Sequence, residues 1–166
     1  MHITTSRVEF KWSNVVGGEM RYMEDFQPGQ IFSAGPVEIT AEEVMAFASR
    51  YDPQPFHTDL QAAEDSFFKG LAASGWMTAS LTMRMLVECG LDIAGGLIGR
   101  EVELGWPRPT YAGDVVRTLS EVLEVVPSRS KPERGMIRVR TETLNQRDEV
   151  VQTMTARLMV HARPQG

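Results

Sequence analysis

The 166-residue chain is the size of one domain, long enough to bury about two-thirds of its unfolded surface around a single core. Its hydrophobic fraction of 42% and charged fraction of 23% are those of a globular protein; no apolar run reaches the roughly 20 residues that span a bilayer or resembles an export leader, so no membrane association and a cytoplasmic location are expected. A net charge of −5 excludes a general nucleic-acid binder, although the acidic excess sits in residues 1–99 and the slightly basic second half allows a local basic patch.

Residues 1–22 read as an N-terminal extension, expected to be disordered, although Phe10 and Trp12 flanking Lys11 also fit a short strand. One domain then runs over residues 23–163, opened by the turn at Pro28-Gly29 and a strand over residues 31–39. Thr40 followed by Glu43 makes a capping box, so a helix begins at Ala41, with Val44, Phe47 and Ala48 on one face. Pro53 and Pro55 stop it near Tyr51. Asp59 caps a second helix through about Phe67, and Gly70 and Gly75 bracket the loop that follows.

From Trp76 to Cys89 apolar residues cover nearly every side of a helix that stops at Gly90, and such a helix is expected to be buried on most faces. Met77, Met83 and Met85 on it fit either core filler or an adaptable acyl pocket. Four strands follow, over residues 98–106, 115–126, 136–144 and 150–162. The third is the clearest: Ile137, Val139, Thr141 and Thr143 alternate with Arg138, Arg140 and Glu142, the period of a sheet with one buried face. An early strand, one largely apolar helix and then four strands suggest an antiparallel sheet curled around a central helix, an α+β layout.

Chemical groups are densest between the first two helices, where Asp52, Gln54 and His57 lie on a stretch stiffened by two prolines. A carboxylate and an imidazole held in this way can share one water as an acid/base pair. On spacing alone a second reading stands, in which Asp52 hydrogen-bonds the turn after a helix and His57 is a satisfied, half-buried histidine. Cys89 has no companion for a disulfide or a nucleophile dyad, and His2, His57 and His161 do not cluster as metal ligands. The glycines near Gly95 precede no predicted helix and do not make a dinucleotide loop.

The segment Tyr51-Asp52-Pro53-Gln54-Pro55-Phe56-His57-Thr58-Asp59 resembles the hydratase motif of MaoC-like dehydratases and R-specific enoyl-CoA hydratases, whose pattern is Asp-x-Asn-Pro-aliphatic-His. Gln54 replaces the usual Asn and Phe56 the aliphatic residue, while acid, second proline and histidine keep their spacing. The similarity extends to Ala73-Ser74-Gly75-Trp76, where Ser74 stands in the place of a frequent His, to Met83, which stands where some members have Ser, and to residues 106–114, a proline-containing turn ending in Gly113-Asp114.

The resemblance implies a hotdog fold, an antiparallel sheet wrapped around a long central helix. It implies reversible hydration of a 2-enoyl-CoA to the (R)-3-hydroxyacyl-CoA by Asp52 and His57, with either residue as the base. The Gly75 N–H is expected to hold the thioester oxygen at a helix start that offers unpaired donors, with no Cβ to obstruct the substrate. Ser74 and Gln54 are expected beside the substrate. No cofactor is implied beyond coenzyme A as part of the substrate, and a homodimer or larger homo-oligomer is expected. Arg129 and Lys131, at the tip of a predicted hairpin, either contact the phosphates of coenzyme A or form a solvated turn. Two rival readings are a hotdog thioesterase, which releases free thiol, and a noncatalytic acyl-thioester-binding module.

Overall fold

The computed structural model describes residues 19–89 and 91–165. Most of the expected N-terminal extension, with Phe10 and Trp12, lies outside the described residues. Arg21 and Tyr22, assigned by sequence to the extension, belong to the fold. The Arg21 backbone donates to Asp92 at 2.8 Å and accepts from Ala94 at 2.9 Å, while its guanidinium pairs with the Asp92 carboxylate at 3.1 Å.

A single 3-10 turn at Met23–Asp25 precedes strand β1, Ile31–Glu38. Helices α1 (Ala41–Tyr51), α2 (Pro55–Thr58), α3 (Leu60–Asp65) and α4 (Gly75–Cys89) follow, and then strands β2 (Ile98–Gly105), β3 (Val115–Pro127), β4 (Arg134–Leu144) and β5 (Val150–His161). The strands form one antiparallel sheet in the order β1-β3-β4-β5-β2. Two departures from the sequence reading concern helices. Pro55 starts an additional turn, α2, because its fixed φ suits the first position of a helix, and α3 ends two residues before Phe67.

The capping box forms as its residues dictate. The Thr40 hydroxyl accepts the Glu43 N–H at 3.2 Å, and the Glu43 carboxylate accepts the Thr40 N–H at 3.2 Å. In β4 the side chains of Ile137, Val139, Thr141 and Thr143 are buried and those of Arg138 and Arg140 are exposed. Two apolar clusters result. One gathers Ile39, Val44, Met77, Met85, Val116 and Val151 beneath α1 and α4, and the other gathers Phe26, Leu91, Val122, Ile137, Val139 and Leu158 at the opposite end of the sheet.

Helix α4 is attached to the sheet by a polar seam as well as by Met77 and Met85. The Thr82 and Thr143 hydroxyls share a 2.7 Å hydrogen bond, and the Gln152 amide donates to Thr82 at 2.9 Å. The expectation that α4 is buried on most faces fails on one side: Trp76, Met83 and Val87 remain 60%, 43% and 57% exposed. The sheet covers the side carrying Thr78, Thr82, Met85 and Leu86 and leaves this stripe uncovered in the single chain. Met77 and Met85 are core, whereas Met83 lies on the uncovered side.

The inward face of β4 makes a direct test of this packing. Ile137→Ala is expected to destabilise the protein by about 2–5 kcal/mol, and Arg138→Ala by less than about 0.5 kcal/mol, in urea unfolding followed by circular dichroism.

Candidate active site

Helix α1 delivers the chain to Asp52, which closes the helix with its N–H on the Ala48 carbonyl at 2.9 Å. The prolines then fold the chain back tightly. The Gln54 N–H reaches the Asp52 carbonyl at 2.7 Å, and α2 carries His57 inward to 5% exposure. Asp52 and His57 thus come together, with Oδ2 and Nε2 3.4 Å apart.

The orientation of His57 is set from a distant part of the chain. Its Nδ1 lies 2.7 Å from the Ala72 carbonyl, an oxygen that can only accept, so Nδ1 carries a proton and Nε2 is the nitrogen left for chemistry. The Ala72 carbonyl is in turn held by a clasp of backbone bonds: Ala73 donates to Thr110 at 2.8 Å and Ala112 to Leu71 at 3.0 Å. Asp114 supports the clasp by accepting the Tyr111 N–H at 2.8 Å and the Gln146 amide at 2.9 Å. The Gly-Asp turn legible in the sequence is therefore part of the frame that aims His57.

Asp52 is held from both sides. Ser74 donates its hydroxyl to Oδ2 at 2.7 Å, and the Gln54 amide donates to Oδ1 at 2.8 Å. Burial by itself raises the carboxyl pKa, but the hydrogen bonds from Ser74 and Gln54, with the charge on His57, outweigh it and hold the group below the ordinary carboxylate value. Ser74 and Gln54, expected beside the substrate, therefore act on the acid itself.

Gly75 begins α4 beside these groups. The Ser74 hydroxyl accepts the Trp76 N–H at 3.3 Å and the Ser74 carbonyl accepts the Thr78 N–H at 3.1 Å, so the Gly75 N–H is among the first donors of the helix, which the helical ladder does not use. The fold supplies a reason for glycine in addition to the expected one. A Cβ at this position would lie 2.8 Å from Trp106 Cε2, so the space is occupied by the protein's own indole. Trp106 meets Trp76 edge-on at 5.5 Å between ring centres and donates its N–H to Gln152 at 2.9 Å.

Asp52, Gln54, His57 and Gly75 line a cleft of about 560 Å³ with walls that include Phe56, Phe68, Trp76 and Trp106. A larger concavity of about 720 Å³, beside Glu133 and His161, contains none of the motif residues. Arg129 and Lys131 sit on the exposed hairpin between β3 and β4. The cleft adjoins the other end of these strands, where Arg108 donates to the Val150 carbonyl at 3.2 Å. With β4 spanning roughly 35 Å at about 3.3 Å per residue, the structure does not bring Arg129 and Lys131 together with Asp52 and His57 in one chain.

The sequence reading missed Trp106 and Gln152. Gln152 did leave a signal: it occupies the inward phase of β5, shared with Met154, Ala156, Leu158 and Val160, where a lone polar side chain needs a buried partner. Trp106 had only its place before the Pro107-Arg108-Pro109 turn.

The hydrogen-bonding around Asp52 has a measurable consequence. Ser74→Ala removes one donor and is expected to raise the Asp52 pKa toward its ordinary value, read by carboxyl-carbon NMR titration. With the folded-state pKa depressed, the stability contributed by Asp52 is complete above its unfolded value, about 3.9, and is lost as pH falls through the folded value. In the variant the contribution is therefore smaller, and its loss, which begins near the same unfolded value, is complete at a higher pH than in the wild type.

Known proteins share this fold and part of this sequence. A profile of the family described as MaoC like domain matches residues 25–145, a stretch that contains both the Asp52–His57 segment and the start of α4. The uncharacterized protein YdeM of Bacillus subtilis (strain 168) is 30% identical over 127 residues, covering 76% of this chain and 89% of that protein. Among solved structures, the MaoC-like dehydratase from Rhodospirillum rubrum matches with a TM-score of 0.85 and 47% identity, covering 87% of this chain and 99% of that one. The (R)-hydratase from A. caviae involved in PHA biosynthesis matches with a TM-score of 0.66 and 25% identity, over 85% and 99% of the respective chains. The protein is thus a hotdog-fold member of the MaoC-like domain family.

Proposed function

We propose that the protein catalyses reversible hydration of a trans-2-enoyl thioester to the (R)-3-hydroxyacyl thioester, with coenzyme A as the carrier and as part of the substrate. The observation that carries this reading is the Asp52–His57 pair, 3.4 Å apart at one end of the cleft, with its reacting nitrogen selected by the Ala72 carbonyl. Family membership adds hydratase and dehydratase chemistry as the general class.

In the hydration direction water binds between Asp52 Oδ2 and His57 Nε2. Asp52 takes a proton from the water as its oxygen bonds to C3, the electron pair of the alkene moves toward the thioester oxygen, and His57, entering the step protonated on both ring nitrogens, delivers its Nε2 proton to C2. The proton on Asp52 then passes to Nε2, 3.4 Å away, and restores the pair. Oxygen and hydrogen add to the same face, and one water is consumed per double bond. The Gly75 N–H faces the thioester oxygen and stabilises the enolate as it forms. The reverse division starts from a protonated Asp52. The donors from Ser74 and Gln54 weigh against it, since they hold the group as a carboxylate. The reaction draws on water and these side chains and calls for no further cofactor.

We also place the chain in a homodimer or larger homo-oligomer. Support comes from the uncovered apolar side of α4 and from the adjoining strand β2, which ends the sheet with Ile98 and Val102 at 41% and 55% exposure.

The test follows loss of the enoyl-thioester absorbance across a panel of enoyl-CoA substrates, with a thiol reagent run in parallel. Absorbance loss without free thiol is the expected result, and thiol release signals thioester cleavage instead. Asp52→Asn and His57→Gln are each expected to lower kcat by about 10²–10⁴-fold while leaving the circular dichroism spectrum unchanged. Unaltered turnover in either variant removes that residue from the mechanism.

A further inference from the structure

The two exposed faces of α4 are not independent. Gly75, Trp76 and Thr78 line the catalytic cleft, while Ala79 and Met83, on the next turns, line an apolar groove of about 360 Å³. The groove is on the side of α4 assigned above to the homo-oligomer, where it lies at the seam between subunits. The same transition occurs on β2, where Trp106 follows the strand and faces the cleft and Leu104 and Val102 face the groove. It occurs again on β5, where Gln152 holds Trp106 and Met154, Ala156 and Leu158 line the groove. At the junction of all three elements stands the Trp106 indole.

We propose that Trp106 is the specificity-determining residue of the cleft: it closes the cleft off from the groove and restricts the site to short acyl groups, with Gln152 as the positioning residue that holds it there. The proposal rests on the hydratase reading for the placement of the thioester at Gly75. Trp106 lies against the Cα of Gly75, so a thioester oxygen on the Gly75 N–H sets the first acyl carbons beside the indole. An acyl chain that lengthens toward the groove meets a ring held on two sides. One edge is braced by Trp76 at 5.5 Å, and the indole N–H is anchored on Gln152, which is 0% exposed and is itself tied to the fully buried Thr82. Rotating the indole aside leaves the fully buried Gln152 carbonyl without its indole donor, which disfavours the open arrangement although the ring itself is 43% exposed.

The experiment compares wild type, Trp106→Leu, Trp106→Phe and Gln152→Leu. It measures kcat/KM for trans-2-enoyl-CoA substrates from C4 to C12 and, independently of turnover, dissociation constants for saturated acyl-CoA of the same lengths by calorimetry. Wild type is expected to favour C4 over C10 in both. Trp106→Leu opens the groove, and affinity then rises with length by up to roughly fourfold per methylene that becomes buried, reversing the preference. Trp106→Phe, which keeps a ring but has no N–H to anchor, gives an intermediate profile and decides the question if the leucine variant does not fold. Gln152→Leu shifts the long-to-short ratio in the same direction, whereas a purely structural role for Gln152 lowers all affinities alike.

Equal preference for C4 and C10 in wild type, or an unchanged ratio in the folded Trp106 variants, overturns the proposal, as does a wild type that binds no acyl-CoA. Altered binding ratios without hydration by wild type leave the selectivity role standing and remove the hydratase reading. Hydration with unaltered ratios does the reverse.

Discussion

The segment of residues 71–73 is clamped to residues 110–112 by backbone hydrogen bonds, and the site takes its geometry from that clasp. It fixes the Ala72 carbonyl, and the carbonyl fixes the protonated nitrogen of His57. Two residues further along, the same segment presents the Ser74 hydroxyl to Asp52 and opens α4 at Gly75. One short stretch of extended chain thus orients the imidazole, gives the carboxylate one of the hydrogen bonds that lower its pKa, and supplies the helix start. Its own stability comes from the turn built around Asp114, whose carboxylate satisfies Tyr111 and Gln146. The Asp52–His57 pair is contributed by residues close in sequence, yet its geometry is imposed by residues that are not.

Beneath α4 the interior is more polar than a minimal core requires. Thr82, Thr143, Ser120, Thr141 and Gln152 are all buried, and each has a hydrogen-bond partner: Thr82 meets Thr143 and Gln152, and Ser120 meets Thr141 at 2.8 Å. Among the described residues no buried side-chain nitrogen or oxygen lacks one. Such a network contributes modestly to stability but penalises any shift of the helix along the sheet, since a displaced α4 leaves several donors unmet at once. A purely apolar seam tolerates sliding far better. For a helix whose first residue lines the same cleft as Asp52 and His57, that difference matters more than the net energy.

Much of this was legible in the sequence wherever the determining forces are local. The Thr40–Glu43 box placed the start of α1 because both partners lie within one helical turn, and the two-residue alternation of Ile137 to Thr143 gave β4 and its inward face. The motif from Asp52 to His57 gave the pair itself. What escaped the reading depends on contacts between distant elements. Nothing near Trp106 shows that its ring lies on Gly75, and Gln152 finds its partners only once β5 is beside β2 and under α4. The burial of α4 was overestimated for a related reason: composition shows that a helix is apolar all round, but not how many sides the sheet reaches. Arg129 and Lys131 could be assigned to a hairpin but not to an end of the sheet, which topology alone decides.

The contact between Gly75 and Trp106 also limits which sequences this architecture can carry. A Cβ at position 75 and an indole at position 106 claim the same volume, so the two sites hold a single allowance of space between them. Enlarging the residue at the helix start alone strains the helix or displaces the ring from Gln152, whereas the wall can shrink by itself. Positions far apart in the chain are thereby coupled in one direction, and a larger residue at position 75 depends on a smaller one already standing at position 106.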